Sequence, residues 1–310
     1  MIFIKDIIKI VIPKFILNLF ISTSEFFKFE NQRLKTEDEW ILYKIHDNDF
    51  SLINFNSNYK KILDINELVI DKFCDFSPGL YRLINSKRNI NKQFLIKSEC
   101  VIKDLKNLMY IFVRGLTDKK KPFSYLYNKA MERNLVMLCG DQTTFILDLL
   151  NKHYAGIKAR KIYFLTSEKF NYYDDGHISL EVQNIYKKWT LVDLQRDAMY
   201  LHKFKNKYFS AFEMIKFKDS YIIEKLNKNP HFDIKFKRFR FDYTFIEQLS
   251  YSEIGYKRFV ERIMQTLIIS DDKGNFFYTI KKNNFDKKKI NLHFKNAKFL
   301  ELYIFEKKFY

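Results

Sequence analysis

Cysteine is scarce in this chain. It occurs only as Cys74, Cys100 and Cys139, an odd set with no Cys-x-x-Cys pair and no His-x-x-x-His pair. That excludes a disulfide framework and leaves none of the usual spacings of a structural zinc site. A reducing, cytoplasmic compartment fits such usage. Glycine and proline are also few, 7 and 4 in 310 residues, which excludes a linker-rich or disordered chain. No internal repeat of fixed period is present. Arg-rich and Gly-rich signatures of nucleic-acid binding are missing, so nucleic acid is not an expected partner.

A long apolar run is lacking too, since a spanning helix needs about 20 consecutive apolar residues. The most apolar stretch, Met1 to Ser24, is interrupted by Lys5, Asp6, Lys9, Lys14 and Asn18, and Pro13 breaks any single helix there. Three readings stay open for it. It can be a helix packed on the protein, an interfacial helix resting on an anionic membrane, or a signal or anchor. The last lacks a clean apolar core and a small-residue cleavage site.

What is abundant is apolar and basic. The apolar fraction is 47%, with 33 Phe and 20 Tyr, enough for a sizeable core. The net charge is +18. Lys far outnumbers Arg, and Asn, Ile, Phe and Tyr are all common, so compositional bias of an AT-rich coding sequence accounts for much of this charge. A basic surface facing an anionic membrane or an anionic glycan is the alternative.

Periodicity divides the chain into four parts: 1–24, an apolar and basic helical segment; 25–116, a mixed α/β region; 117–205, a core; and 206–310, a C-terminal α+β extension. In the second part Phe50, Leu52 and Phe55 hint at a strand. Val101, Ile102, Leu105, Leu108, Met109 and Phe112 form a helical stripe ending at Gly115. The run Thr117 to Pro122 (TDKKKP) reads as a charged loop and boundary, followed by a short helix from Tyr125 to Arg133. Leu138 to Gly156 reads as a helix, with Phe145, Ile146, Leu149, Leu150 and His153 on one stripe. Lys158 to Leu165, His177 to Gln183 and Lys187 to Leu194 read as strands, with a polar loop, Thr166 to Gly176, between the first two. In the extension, Phe232 to Phe236 and Phe239 to Tyr243 alternate. Ser250 and Glu253 have capping-box spacing before a helical stripe, Ile254, Phe259, Val260, Ile263, Met264, Leu267 and Ile268. Asp271 to Gly274 is a turn, Lys287 to Lys289 a solvated loop, and Ile290, Leu292 and Phe294 mark a late strand.

The chemistry gathers around Cys139. A cysteine at a helix start stands where the helix dipole favours its thiolate. Such a nucleophile needs a base, and the base needs a group to hold its tautomer. His177 and Asp193 follow, 38 and then 16 residues on. In a hairpin centred on Ile185, residues whose numbers sum to 370 face each other, and His177 and Asp193 are such a pair. Cross-strand partners bring their Cβ atoms within about 5 Å. A slip of one residue would put the two on opposite faces.

The order of helix with Cys139, strand with His177 and strand with Asp193 resembles the transglutaminase-like superfamily, a branch of the papain-like cysteine fold. The resemblance covers about residues 125–200 and rests on three pieces. They are Cys139 opening CGDQTTFILDLLNKHY; Gly156, Ile157, Ala159 and Arg160, similar to the family's G-I-x-A-R; and GHISLEV followed by KKWTLVD. Three departures stand against it. Met137 replaces a frequent Gly, Ser179 replaces a frequent aromatic, and no upstream Gln lies close to serve the oxyanion, leaving Arg133, Asn134 or a Tyr as substitutes.

The resemblance implies an α+β fold: a papain/transglutaminase-like core, its Cys at a helix N-terminus packed on an antiparallel sheet, with N- and C-terminal α/β extensions. It implies a thiol peptidase or amidase acting by acyl transfer through Cys139, His177 and Asp193 on a protein or peptide substrate. Many bacterial members are hydrolases. No cofactor and no metal is expected. The alternative is an inactive module of the same fold, binding a membrane surface or anionic glycan. Trp189 reads as core, Arg160 as an ion-pairing residue and His153 as structural. The sequence is silent on oligomeric state.

Overall fold

The computed structural model describes residues 40–46, 49–53, 59–85, 88–165, 176–184, 186–217, 220–225, 260–261, 263–281 and 287–310. The segment Met1 to Ser24, the polar loop up to Asp175, the alternating runs between Phe232 and Tyr243, and the 250–259 capping box and stripe lie outside the described residues. So does Phe55. The described residues form a mixed α+β structure with a large, mostly antiparallel sheet and several helices. No helix among them is long and apolar enough to cross a membrane.

The N-terminal region holds β1 (Ile41–His46), β2 (Asp49–Ile53), α1 (Tyr59–Leu63), β3 (Val69–Ile70), β4 (Gly79–Asn85) and β5 (Ile90–Ile96). They form a five-stranded sheet in the order β2-β1-β4-β5-β3. Next comes α2 (Val101–Leu108), then a 3-10 turn, Met109–Ile111. The expected helix stops short of Phe112, which opens β6 (Phe112–Arg114) because that strand pairs in parallel with β7 (Leu135–Met137). Between them lies α3 (Phe123–Glu132), and after β7 comes α4 (Cys139–His153).

The large sheet is built from β8 (Ala159–Leu165), β9 (Gly176–Gln183), β10 (Trp189–Asp193), β11 (Ala198–His202), β12 (Tyr221–Lys225), β13 (Thr266–Ser270), β14 (Phe276–Ile280) and β15 (Lys298–Phe299). Its order is β12-β11-β10-β9-β8-β13-β14-β15, so the C-terminal strands extend the sheet beyond β8. Helices α5 (Ala211–Lys216), α6 (Lys287–His293) and α7 (Leu302–Phe309) complete the described fold.

Two expectations fail in the extension. Leu267 and Ile268 lie in β13, not in a helix. All but the last residue of that strand are buried, because it sits between β8 and β14 with neighbours on both faces, and an apolar run there carries no helical meaning. Lys287 to Leu292 are helical rather than loop and strand. Ile290 is buried while Leu292 is exposed, so the apolar alternation there marks one inward residue of a helix.

Both faces of the large sheet are covered. On one, Leu180, Val182 and Val192 share a core with Phe145, Ile146 and Leu149 of α4, and the same core runs on through α2 and α3 to Tyr43, Leu80 and Leu95 of the smaller sheet. On the other, Ile162, Phe164, Leu191 and Tyr200 pack with Phe212 of α5 and Phe305 of α7. Fully burying one such side chain contributes about 1.5–3 kcal/mol, so α4 is held firmly at one end of β9.

Candidate functional site

Three elements converge on Cys139. Strand β7 delivers it, and β7 is pinned by a side chain from the charged loop. Asp118 of TDKKKP is buried, accepts both Nη1–H and Nη2–H of Arg133, and accepts the Val136 N–H. Burial would raise this carboxyl's pKa, but the hydrogen bonds and charge of Arg133 outweigh it and hold the group below its usual range. Arg133 thereby commits an N–H of each Nη to Asp118. Leu138 then turns the chain with extended backbone and no side-chain cap. The first-turn N–H groups of α4 have no carbonyl partner within the helix and point outward, with the positive end of the dipole. Asp141 lies in that first turn. Cys139 is partly exposed.

Gly140 sets how closely α4 approaches β9. A Cβ at this position would lie 3.2 Å from Ile178 Cδ1, the residue after His177. This contact is tighter than ordinary van der Waals packing, so the glycine lets the helix tip and the histidine strand meet.

His177 and Asp193 meet as well, though not in the expected register. The pairs are Trp189 with Gln183, Thr190 with Val182, Leu191 with Glu181 and Val192 with Leu180, so partner numbers sum to 372 rather than 370. The connecting turn is the reason. Asn184 closes it, donating its N–H to Lys188 O and accepting the Lys187 N–H on its carbonyl. Its Oδ1 accepts the N–H groups of Tyr186 and Lys188, and Lys187 takes φ 59°. Continued by one pair, this register sets Asp193 opposite Ser179 and makes His177 its diagonal neighbour. The shift is even, so both side chains stay on one face. His177 Nε2–H donates to Asp193 Oδ1 at 2.8 Å.

The His177 side chain is 4% exposed and that of Asp193 0%. Burial by itself would lower the imidazole's pKa. The Asp193 carboxylate and a hydrogen bond with Cys139 overcome it, and the group is pushed up to about 9. Nε2 is occupied by Asp193, which leaves Nδ1 for the thiol. Asp193 moves the other way: burial would raise it, yet His177 and then Arg196 hold it below the ordinary carboxylate range. All three residues singled out in the sequence are therefore brought together.

Several neighbours carried no sequence signal. Tyr200 O–H donates to Asp193 Oδ2 at 3.3 Å, and the Arg196 N–H donates to Oδ1 at 3.3 Å. Asp197 is also buried, and burial together with the Asp193 charge pushes its carboxyl well above the usual range. Arg160 lies away from the cysteine. It pairs with Glu181 and stacks on Trp189 at 3.9 Å, in line with a structural role. His153 stacks on Tyr127, 5.6 Å between centroids. Among the described residues no group of three or more His, Cys, Asp or Glu could hold a metal.

The arrangement can take a proton from a thiol and keep the resulting imidazolium beside a carboxylate. Comparison with protein-family models, with curated proteins and with solved structures gives no match.

Proposed function

We propose that this chain is a transglutaminase-like cysteine enzyme, a thiol peptidase or amidase that works by acyl transfer with a papain-like arrangement of its core. The reading is carried by one observation: a partly exposed cysteine at a helix start shares a hydrogen bond with a buried histidine, and that histidine donates to a buried aspartate at 2.8 Å.

In this reading His177 Nδ1 takes the thiol proton, and Cys139 Sγ attacks the carbonyl carbon of a peptide or carboxamide. The carbonyl oxygen gains negative charge beside the N–H groups at the start of α4, where a single donor is worth about 10²–10³-fold in rate. The C–N bond breaks as His177 returns the proton to the leaving amine, and a thioester remains on Sγ. Water then adds to it, giving its proton to His177 and releasing a carboxylic acid; an amine in place of water gives transamidation. Asp193 holds the ring so that Nδ1 faces the sulfur, and Tyr200 holds Asp193.

The test is labelling of the full chain by an acyl probe directed at activated thiols, with Cys139→Ala as comparison. The wild type is expected to label and the variant to lose labelling with its thermal unfolding unchanged. Equal labelling of the two would overturn the reading, because Cys74 and Cys100 would then carry the signal.

A further inference from the structure

We infer that the end of the large sheet opposite His177 is a docking surface for an anionic lipid bilayer. Two turns stand there side by side. Strand β9 runs from His177 to Gln183, about 20 Å at the usual rise, and leads into the turn that carries Tyr186, Lys187 and Lys188. Strand β11 runs in the same direction and leads into a second turn carrying Lys203, Phe204 and Lys205. The N–H of Leu191 in β10 donates to Phe209 O at 2.8 Å, stitching the returning limb of the second turn to β10, just below the first turn.

Both turns are rigid presenters. The first is closed by the backbone and side chain of Asn184. The second is closed by His202 N–H to Lys207 O at 2.8 Å, by Phe204 N–H to His202 Nδ1 at 3.1 Å, and by Lys203 N–H to Ser220 O at 2.7 Å. Each holds one large aromatic in solvent: Tyr186 is 76% exposed and Phe204 79%. The two rings stand on neighbouring turns, and each is flanked by lysines that are exposed as well. Neither turn contains an acidic residue.

Aromatic tips among lysines match the chemistry of a bilayer surface. The rings enter the headgroup boundary while the ammonium groups stay level with anionic phosphates and carboxylates. The lysines are point charges without the planar fork that favours nucleic-acid readout, and the rings project from turns instead of lining a groove for a peptide. This surface includes no residue of the segment Met1 to Ser24 and is independent of the chemistry at Cys139. Docked this way, the chain would hold the His177 end of the sheet away from the lipid.

The experiment is co-sedimentation of the full chain with phosphatidylcholine vesicles, with or without phosphatidylserine. Three forms are compared: wild type, Tyr186→Ser with Phe204→Ser, and Lys187→Gln with Lys188→Gln, Lys203→Gln and Lys205→Gln. The wild type is expected on the phosphatidylserine vesicles, with binding that weakens as salt rises. Loss of the two rings is expected to lower partitioning at least tenfold. Each lysine removed is expected to lower it about fivefold. A Phe204→Trp variant should show a blue-shifted emission, quenched by brominated lipid. Three results would overturn the inference: wild-type sedimentation by both turn variants, which would place binding elsewhere in the chain; no preference for the anionic vesicles; or turn-dependent binding to heparin or single-stranded RNA without binding to vesicles.

Discussion

Arg160 and Glu181 face each other directly across β8 and β9, and the pair is mostly closed to the outside. Glu181 Oε2 takes the Nε–H and Nη2–H of Arg160, its Oε1 takes the Ala211 N–H, and the Tyr310 hydroxyl lies 2.9 Å from both oxygens. The Arg160 guanidinium is covered by Trp189 on one side and Tyr310 at 4.6 Å, and donates an Nη1–H to Phe309 O. His177 and Asp193 lie on the same face of the same sheet, farther along β9, and their aspartate is just as fully engaged. The difference is at the other member. The histidine has a second ring nitrogen, and that nitrogen is turned to a cysteine which solvent can reach. A buried charged pair whose carboxylate is fully engaged and whose cation is stacked on rings holds a fold together. One that ends on a solvent-reachable sulfur can move a proton.

The largest expected effect comes from breaking the open pair. Asp193→Asn should keep the side-chain shape but no longer hold the charged, correctly oriented imidazole. Acyl-transfer rate should fall about 10³–10⁴-fold, read as kcat/KM on any substrate found or as the probe-labelling rate. A fall of less than tenfold would break the comparison, because Asp193 would then be as structural as Glu181. The reciprocal change, Glu181→Ala, should act on stability. It strands Arg160 without its carboxylate at a mostly covered site, at a cost of about 3 kcal/mol, the lower end for a buried pair, since Arg160 keeps some contact with water. Denaturant unfolding measures this, and the labelling rate of the folded protein should not change.

Titration of the open pair comes next. For His177 the folded-state value of about 9 lies above the ordinary value. The ion pair's contribution is then complete below about pH 6.5 and drains away as pH rises through about 9. On the acid side, Asp193 is held below its usual value, so its contribution is present above about pH 3.8 and is lost only as pH falls through the lowered value. Unfolding free energy measured at pH 6.5 and pH 9.5 should differ by an amount on the order of 3 kcal/mol, and His177→Gln should flatten that difference. The labelling rate should show its alkaline limb near pH 9, where the imidazolium is lost. An unchanged slope in the variant would assign the titration to another group.

Much of this comparison was legible in the sequence, and the illegible parts have physical causes. The spacing of His177 and Asp193 put both on one face because a strand's side chains alternate. That parity survived an error of two in the register, caused by an Asn184-closed turn that spacing cannot reveal. The helix behind Cys139 was readable from Phe145, Ile146 and Leu149, since its inward stripe is simple. Asp118 carried no signal, because nothing in a charged run reveals that Arg133, fifteen residues on, folds back on it. Tyr200 was invisible because its bond to Asp193 depends on the way β10 turns into β11. Leu267 and Ile268 were misassigned for a related reason. A strand covered on both faces loses the alternation that identifies strands.

The smallest expected effect is the most pointed, because it leaves every reactive group in place. Gly140→Ala adds one methyl group at a position where its Cβ would stand 3.2 Å from Ile178 Cδ1. Two opposing consequences for stability follow. Alanine favours the helix by about 1 kcal/mol over glycine, while the crowding against Ile178 pushes back by a similar amount, about 1 kcal/mol at the low end of overpacking costs. Net stability should therefore move little. The distance between Cys139 and His177 should not be so forgiving, since the added methyl wedges the helix tip away from the strand that carries the base. A displacement of a few tenths of an ångström at a proton-transfer contact should slow labelling by about three- to tenfold, well below the roughly 10²-fold that a 1 Å misplacement can cost. The same substitution has no route to the Arg160–Glu181 pair, whose unfolding signature should stay as in the wild type. If Gly140→Ala labels as fast as the wild type at equal stability, the closeness of helix and strand is a packing detail, and the difference between the two pairs rests on the identity of their residues alone.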